Sequence, residues 1–219
     1  MISRRTAANI VVALEKYWRV RALQSPFAEL IAAPGEYSSR LHELAEQETV
    51  QLLVDNFGAS RMLDKKGDTV ARSRGDAWLE GMPINIKFGD IDGKKSDPNM
   101  VSMSRLFNAL TDPVAPVENY YVLGIKVGKR SGECRVYMFD LLDHLDYANF
   151  YSGPGQITLN ERKFFNQSHD TACCGGLTRA QKVQKLMAMA EHAHVALLAT
   201  RVSTIEDMRI RAKLFQSDK

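Results

Sequence analysis

The chain has no apolar run near the roughly 20 residues that a membrane-spanning helix needs, so no membrane partner is expected. It is also poor in cysteine, with three in 219 residues, two of them adjacent (Cys173 and Cys174). An odd, clustered set without a Cys-x-x-Cys pair excludes a disulfide framework and points to a reducing, cytoplasmic home. The segment "SHDTACCGGLTR" holds His, Asp and Cys but lacks zinc spacing, and its Gly-Gly followed by Thr178 reads as a helix break and cap. His192 and His194 stand two apart, so on a helix they face different ways and make no metal pair. A strong charge excess is missing as well. Lys+Arg 29 against Asp+Glu 26 gives +3, far from the excess of histone-like proteins, so any polyanionic partner must be met by local clusters. The start, "MISRRTAANIVVALEKYWRV", sets an Arg pair before an apolar stretch, as a signal peptide does. Glu15 and Lys16 interrupt that stretch, and Ile10, Val11, Leu14 and Trp18 fit one helix face instead. Internal repeats, low-complexity tracts and linkers are absent too.

What is present suits a globular protein with a real core: 45% hydrophobic and 25% charged residues over a length typical of one domain, 1–219. Helices are expected over 5–32 and 38–57, the second opened by Ser38 or Ser39 and closed by Gly58. Asp97 and Pro98 look like the start of a helix reaching 110. "NYYVLGIKVGK" and "ECRVYMFDLL" read as two strands around a Gly-bounded turn, and "SGPGQITLN" as a further short strand, within 120–160. Helix returns at 178, with Val183, Leu186, Met187, Ala190, His194 and Leu197 on one stripe. A separate basic helix is expected at 203–215. The expected class is α/β (α+β), a mixed central sheet flanked by helices.

Chemistry concentrates in "GDAWLEGMPINIKFGD", residues 75–90. Asp76 opens a short apolar run, Glu80-Gly81 has turn chemistry, and Ile84–Phe88 returns as a strand. Alternation puts Asn85 and Lys87 on one face while Ile84, Ile86 and Phe88 enter the core. An acid on one strand and a Lys on its hairpin partner suit metal-dependent phosphodiester hydrolysis: oxygen ligands hold a hard cation, and the Lys supplies positive charge at the transition state. The Ile86 carbonyl is a further possible ligand. On the 38–57 helix, Leu41, Leu44, Ala45, Glu48 and Leu52 share a stripe. Glu48 therefore interrupts an apolar face and is the expected third acid, while Glu43 and Glu46 are expected on other parts of the surface.

The segment "INIKFGDIDGKKSDPNMVSMSRLFNAL" resembles the catalytic strand, loop and helix of type II restriction endonucleases with the PD-(D/E)XK core, of the EcoRV and HincII kind. Pro98, Asn99, Met100, Val101 and Ser102 carry the most specific part of that likeness, which extends over about two thirds of the chain. It implies a restriction-endonuclease-like core, Mg²⁺ as cofactor and a double-stranded DNA substrate. It also implies a homodimer, whose two-fold symmetry matches a palindromic site. By the likeness Asp76 is the first metal-binding acid, Lys87 the catalytic lysine and Ile86 a carbonyl ligand. Lys94, Lys95, Ser96, Asn99 and Ser102 are implied DNA contacts, with lysines on phosphates and Asn99 and Ser102 on base edges or backbone. Asn85 departs from the pattern, which expects an acid there. It is either native, compensated by Glu48 or Glu80, or a substitution that lets DNA bind uncut. Two rival readings follow: a repair or recombination nuclease with little sequence preference, and a catalytically impaired sequence-specific DNA-binding protein.

Overall fold

The structure is a computed structural model, described over residues 2–33, 38–61, 75–91, 99–151, 155–160, 163–164, 172–173 and 176–217. Its first helix, α1 (Arg4–Arg21), begins where Ser3 Oγ accepts the Thr6 N–H at 3.0 Å, and it buries Ala7, Ile10, Val11, Leu14 and Trp18. The single helix expected over 5–32 is in fact two. The chain turns at residues 22–26 and resumes as α2 (Phe27–Ala32). Pro26 accounts for the break: it has no N–H to donate, and its ring disfavours helical geometry at Ser25. The next helix, α3 (Ser39–Phe57), follows the expectation closely. Ser38 caps its N-terminus, and Gly58 ends it in the left-handed conformation, φ 69°.

A six-stranded mixed sheet forms the centre, in the order β1 (Ser60–Arg61), β2 (Ala77–Leu79), β3 (Met82–Asp90), β5 (Tyr121–Val127), β6 (Cys134–Asp140) and β9 (Ala172–Cys173). The β2–β3 hairpin closes through Glu80 and Gly81 at φ 52° and 75°, the paired positive angles of a tight hairpin turn. Between β3 and β5, which run parallel, the chain crosses over through β4 (Asn99–Ser102) and α4 (Met103–Thr111). A second, three-stranded sheet joins β4, β8 (Gln156–Leu159) and β7 (Ala148–Tyr151). The helix expected from Pro98 therefore starts later. Met100 and Val101 are buried as strand, and the Ser102 hydroxyl caps α4 by accepting the Arg105 N–H. Asp97 and Pro98 lie outside the described residues.

One face of the main sheet (Ile84, Ile86, Leu123, Ile125, Val136 and Met138) packs under α1 and α3. The other face (Val122, Tyr137 and Phe139) packs against α4, the small sheet and the last helix. Gly124 is needed on that second face, because a Cβ there would overlap the Tyr137 ring. The last helix, α5 (Arg179–Ser217), runs 39 residues without a break, so the two expected C-terminal helices are one. It is anchored at its start. Lys182, 1% exposed, donates to Asp140 at 2.7 Å, to Asn119, and to the Glu118 carbonyl at 3.1 Å. Asp140 also accepts the N–H groups of Tyr120 and Leu142, both at 3.1 Å, so the buried charge is fully met. Among the described residues, no helix is long and apolar enough to cross a membrane.

Candidate active site

The hairpin register sets Ala77 against Ile84, and the Asp76 N–H turns to the same Ile84, which places Asp76 at the open end of the pair beside Ile84–Ile86. Asp76 is held at both ends. Its N–H donates to the Ile84 carbonyl at 2.8 Å, and its Oδ2 accepts the Ile86 N–H at 2.6 Å. A residue in such a ladder turns its N–H and C=O to the same neighbour, so the Ile86 carbonyl also points to the Asp76 side. Burial pushes the Asp76 carboxyl above its ordinary value, opposed by the Ile86 N–H and the Lys87 charge. Gly75 makes this approach possible. A Cβ there would stand 2.9 Å from the Pro83 Cβ and 3.0 Å from the Ile84 backbone N and O.

Asn85 is 9% exposed, and its Oδ1 has no hydrogen-bond partner. Its side chain neighbours the Tyr120 hydroxyl. Tyr120 is itself buried, and burial followed by the Asp76 charge pushes its hydroxyl well above the usual range. The Lys182–Asp140 anchor holds the Tyr120 backbone, so the end of β6 and the start of α5 together position Tyr120.

Glu46, rather than the expected Glu48, is the acid electrostatically coupled to the hairpin. Burial, then the Asp76 charge, push the Glu46 carboxyl up to about 7, while Lys87 pulls it down, so Glu46 shares an electrostatic neighbourhood with both hairpin residues. Glu48 is occupied elsewhere. It accepts Arg21 Nε at 2.6 Å and the Tyr17 hydroxyl, and Arg21 also lies over the Phe27 ring at 4.5 Å. That cluster ties α1 to α3 and pushes the Tyr17 hydroxyl up to about 12, through burial first and then Glu48. Thr49 accounts for the difference in helix face: it enters the core and bonds its hydroxyl back to the Ala45 carbonyl at 2.7 Å. The buried stripe is Leu41, Ala45, Thr49, Val50 and Leu53, a rotation that carries Glu46 to the sheet side and Glu48 to α1. Glu80, the other acid considered, sits exposed in the turn at the far end of the hairpin.

Lys87 is half-buried and in register with Gly124. A second lysine, Lys126, is 9% exposed and in register with Gly89, across which it lies. A Cβ on Gly89 would stand 2.6 Å from its Nζ. Both lysine charges, after partial burial, hold the His42 imidazole below its ordinary value. His42 stands one helical turn before Glu46.

The expected DNA contacts are placed only in part. Lys94, Lys95 and Ser96 lie outside the described residues. Asn99 is exposed at the start of β4, opposite Thr158, whereas the Ser102 hydroxyl serves α4 as its cap. His194 packs its ring on Phe150 at 5.6 Å, a structural contact.

Among the described residues, no three His, Cys, Asp or Glu side chains converge into a metal site. The donors gathered here are two carboxylates (Asp76 and Glu46), the orphaned Asn85 Oδ1 and the Ile86 carbonyl. All are oxygens, the ligand type of a hard divalent cation such as Mg²⁺. A buried carbonyl oxygen without a donor costs about 1–3 kcal/mol, and a cation would remove that cost. The residues therefore fit an Mg²⁺ ion, with one negative charge fewer than an acid at position 85 would give. The chain matches no protein-family model and no curated protein.

Proposed function

We propose that the protein is a metal-dependent deoxyribonuclease of the type II restriction class. It would cut double-stranded DNA at a short, palindromic sequence, working in the cytoplasm as a homodimer with Mg²⁺ as cofactor. The observation that carries this reading is the convergence of Asp76, Asn85, Lys87 and Glu46 at one end of the β2–β3 hairpin. The sequence likeness of residues 84–110 supports it.

In this reading Asp76, the Asn85 amide oxygen and the Ile86 carbonyl hold the ion. When bound, Mg²⁺ neutralises charge on the phosphate and makes water more acidic. Lys87 places its ammonium beside the same carboxylates, where it offsets the charge that builds on the phosphoryl oxygens. Glu46, with its affinity for protons near neutrality, accepts a proton from the attacking water. The water oxygen bonds to phosphorus, the bond to the leaving oxygen breaks, and that oxygen takes a proton from solvent.

A second reading, a sequence-specific DNA-binding protein that cuts poorly, is favoured by one observation: Asn85 brings no charge. Digesting plasmid DNA with Mg²⁺ and mapping the ends separates the possibilities. Discrete fragments with defined ends support the restriction class. A smear supports a nuclease of low specificity, and binding without any cleavage supports the second reading.

A further inference from the structure

The helix α5 leaves the body of the protein part-way along its length. Among the described residues, Leu186 is its last buried one, and His194 makes the contact to Phe150. From Val195 to Ile210 every residue except the half-exposed Leu197 is exposed. Within that stretch Val195, Leu198, Val202 and Ile205 are 65%, 61%, 54% and 49% exposed. Their intervals of three, four and three residues make a narrow seam with the 3.5-residue repeat of a coiled coil, unlike the broader stripe of a helix packed on its own domain. A helix segment of this length standing alone in water is marginal, because its nucleation cost is offset only by packing of an apolar face.

From these features we infer that the projecting half of α5 pairs with the same segment of a second copy, parallel and in register. The composition of the seam selects that occupant. Val195 and Val202 take one core position and Leu198 and Ile205 the other; Val at the first with Leu198 at the second suits two strands, while the exposed Met208 and Ile210 lie off the seam. Arg201 and Glu206 flank the seam, five residues apart. That separation puts them on different sides of their own helix but sets Arg201 of one copy against Glu206 of its partner when two helices run parallel. The seam is self-complementary, as a two-fold interface must be. This pairing rests on the helix alone and not on the chemistry of the hairpin, so its failure and the failure of the nuclease reading are separately visible.

Sedimentation velocity of the full chain across micromolar concentrations tests the pairing. The unmodified protein should be a dimer, and Leu198→Glu with Val202→Glu should make it a monomer with an unchanged circular dichroism spectrum for the folded body. Arg201→Glu and Glu206→Arg should each weaken the dimer, by about fivefold in dissociation constant, and the two together should restore it. Val202→Cys should give a disulfide-linked dimer on oxidation that the unmodified protein does not give. A monomer throughout overturns the inference. So does a dimer indifferent to Leu198→Glu and Val202→Glu, which would place the interface elsewhere. A double charge swap as weak as either single one, or no Val202→Cys cross-link, overturns the parallel register.

Discussion

Replacing Glu46 by Gln removes a negative charge and a proton acceptor while keeping the side chain's size. With its carboxyl raised to about 7, chiefly by burial and by Asp76, Glu46 is near half-ionised at neutral pH and suited to take a proton from water. Its loss should lower the single-turnover cleavage rate about a hundred- to ten-thousand-fold, the range for a positioned acid or base. Stability should move the other way. The folded protein, free of metal, holds a proton on Glu46 between pH 4.5 and 7 that the unfolded chain has released, so this residue's contribution falls as pH rises through that window. At pH 8 Glu46→Gln should therefore be more stable than the unmodified protein in a metal chelator, by on the order of 1–2 kcal/mol given partial solvent contact. Glu48→Gln should show the opposite pattern. Its partner Arg21 and its own side chain are 21% and 26% exposed, so loss of the ion pair should cost about 1 kcal/mol and leave cleavage within a few-fold. Rapid-quench cleavage of a labelled duplex, with urea melts of the metal-free proteins at pH 5 and 8, measures both effects. Full activity in Glu46→Gln, or loss of activity in a folded Glu48→Gln, would refute the assignment of the third acid.

Asn85→Asp should raise Mg²⁺-dependent cleavage and lower the metal-free melting temperature, because it adds a second carboxylate near Asp76. A Mg²⁺ titration read by both assays should show a larger thermal gain than in the unmodified protein. Gly75→Ala should cost about 1–3 kcal/mol and reduce cleavage further than its stability loss explains, since the new methyl meets the Ile84 backbone and displaces Asp76; denaturant melts beside cleavage rates check this. Lys182→Met should cost about 3–5 kcal/mol in a urea melt, because it leaves Asp140 buried without its cation.

The hairpin is legible in the sequence because its signals agree: period-two alternation from Ile84 to Phe88, a Glu-Gly turn, and a Gly where the strands approach. The ends of α3 are legible for the same reason, with Ser38 and Gly58 as its stops. The third acid is not. Thr49 looks like a surface residue and is buried, and one such inversion turns the whole helix face. Pro98 imitates a helix start, yet burial of Met100 and Val101 against the small sheet extends the strand to Ser102. That Tyr120 is held by Asp140 and a buried lysine 62 residues further on is a relation that no local pattern carries. Nor does local sequence announce that α5 continues through residues 198–203, since its second half has no apolar face turned to its own domain.

Incubating plasmid DNA with Mg²⁺ and either the unmodified protein, Asn85→Asp or Lys87→Ala, with binding to the mapped duplex measured in the absence of divalent ions, tests the hairpin chemistry most directly. The unmodified protein and Asn85→Asp should yield discrete fragments with identical ends. Lys87→Ala should bind the same duplex but cut it at least about a hundredfold more slowly, because the lysine acts on the transition state more than on the bound DNA. Cutting that survives Lys87→Ala, or no cutting by either of the other two proteins, would contradict a nuclease built on this hairpin.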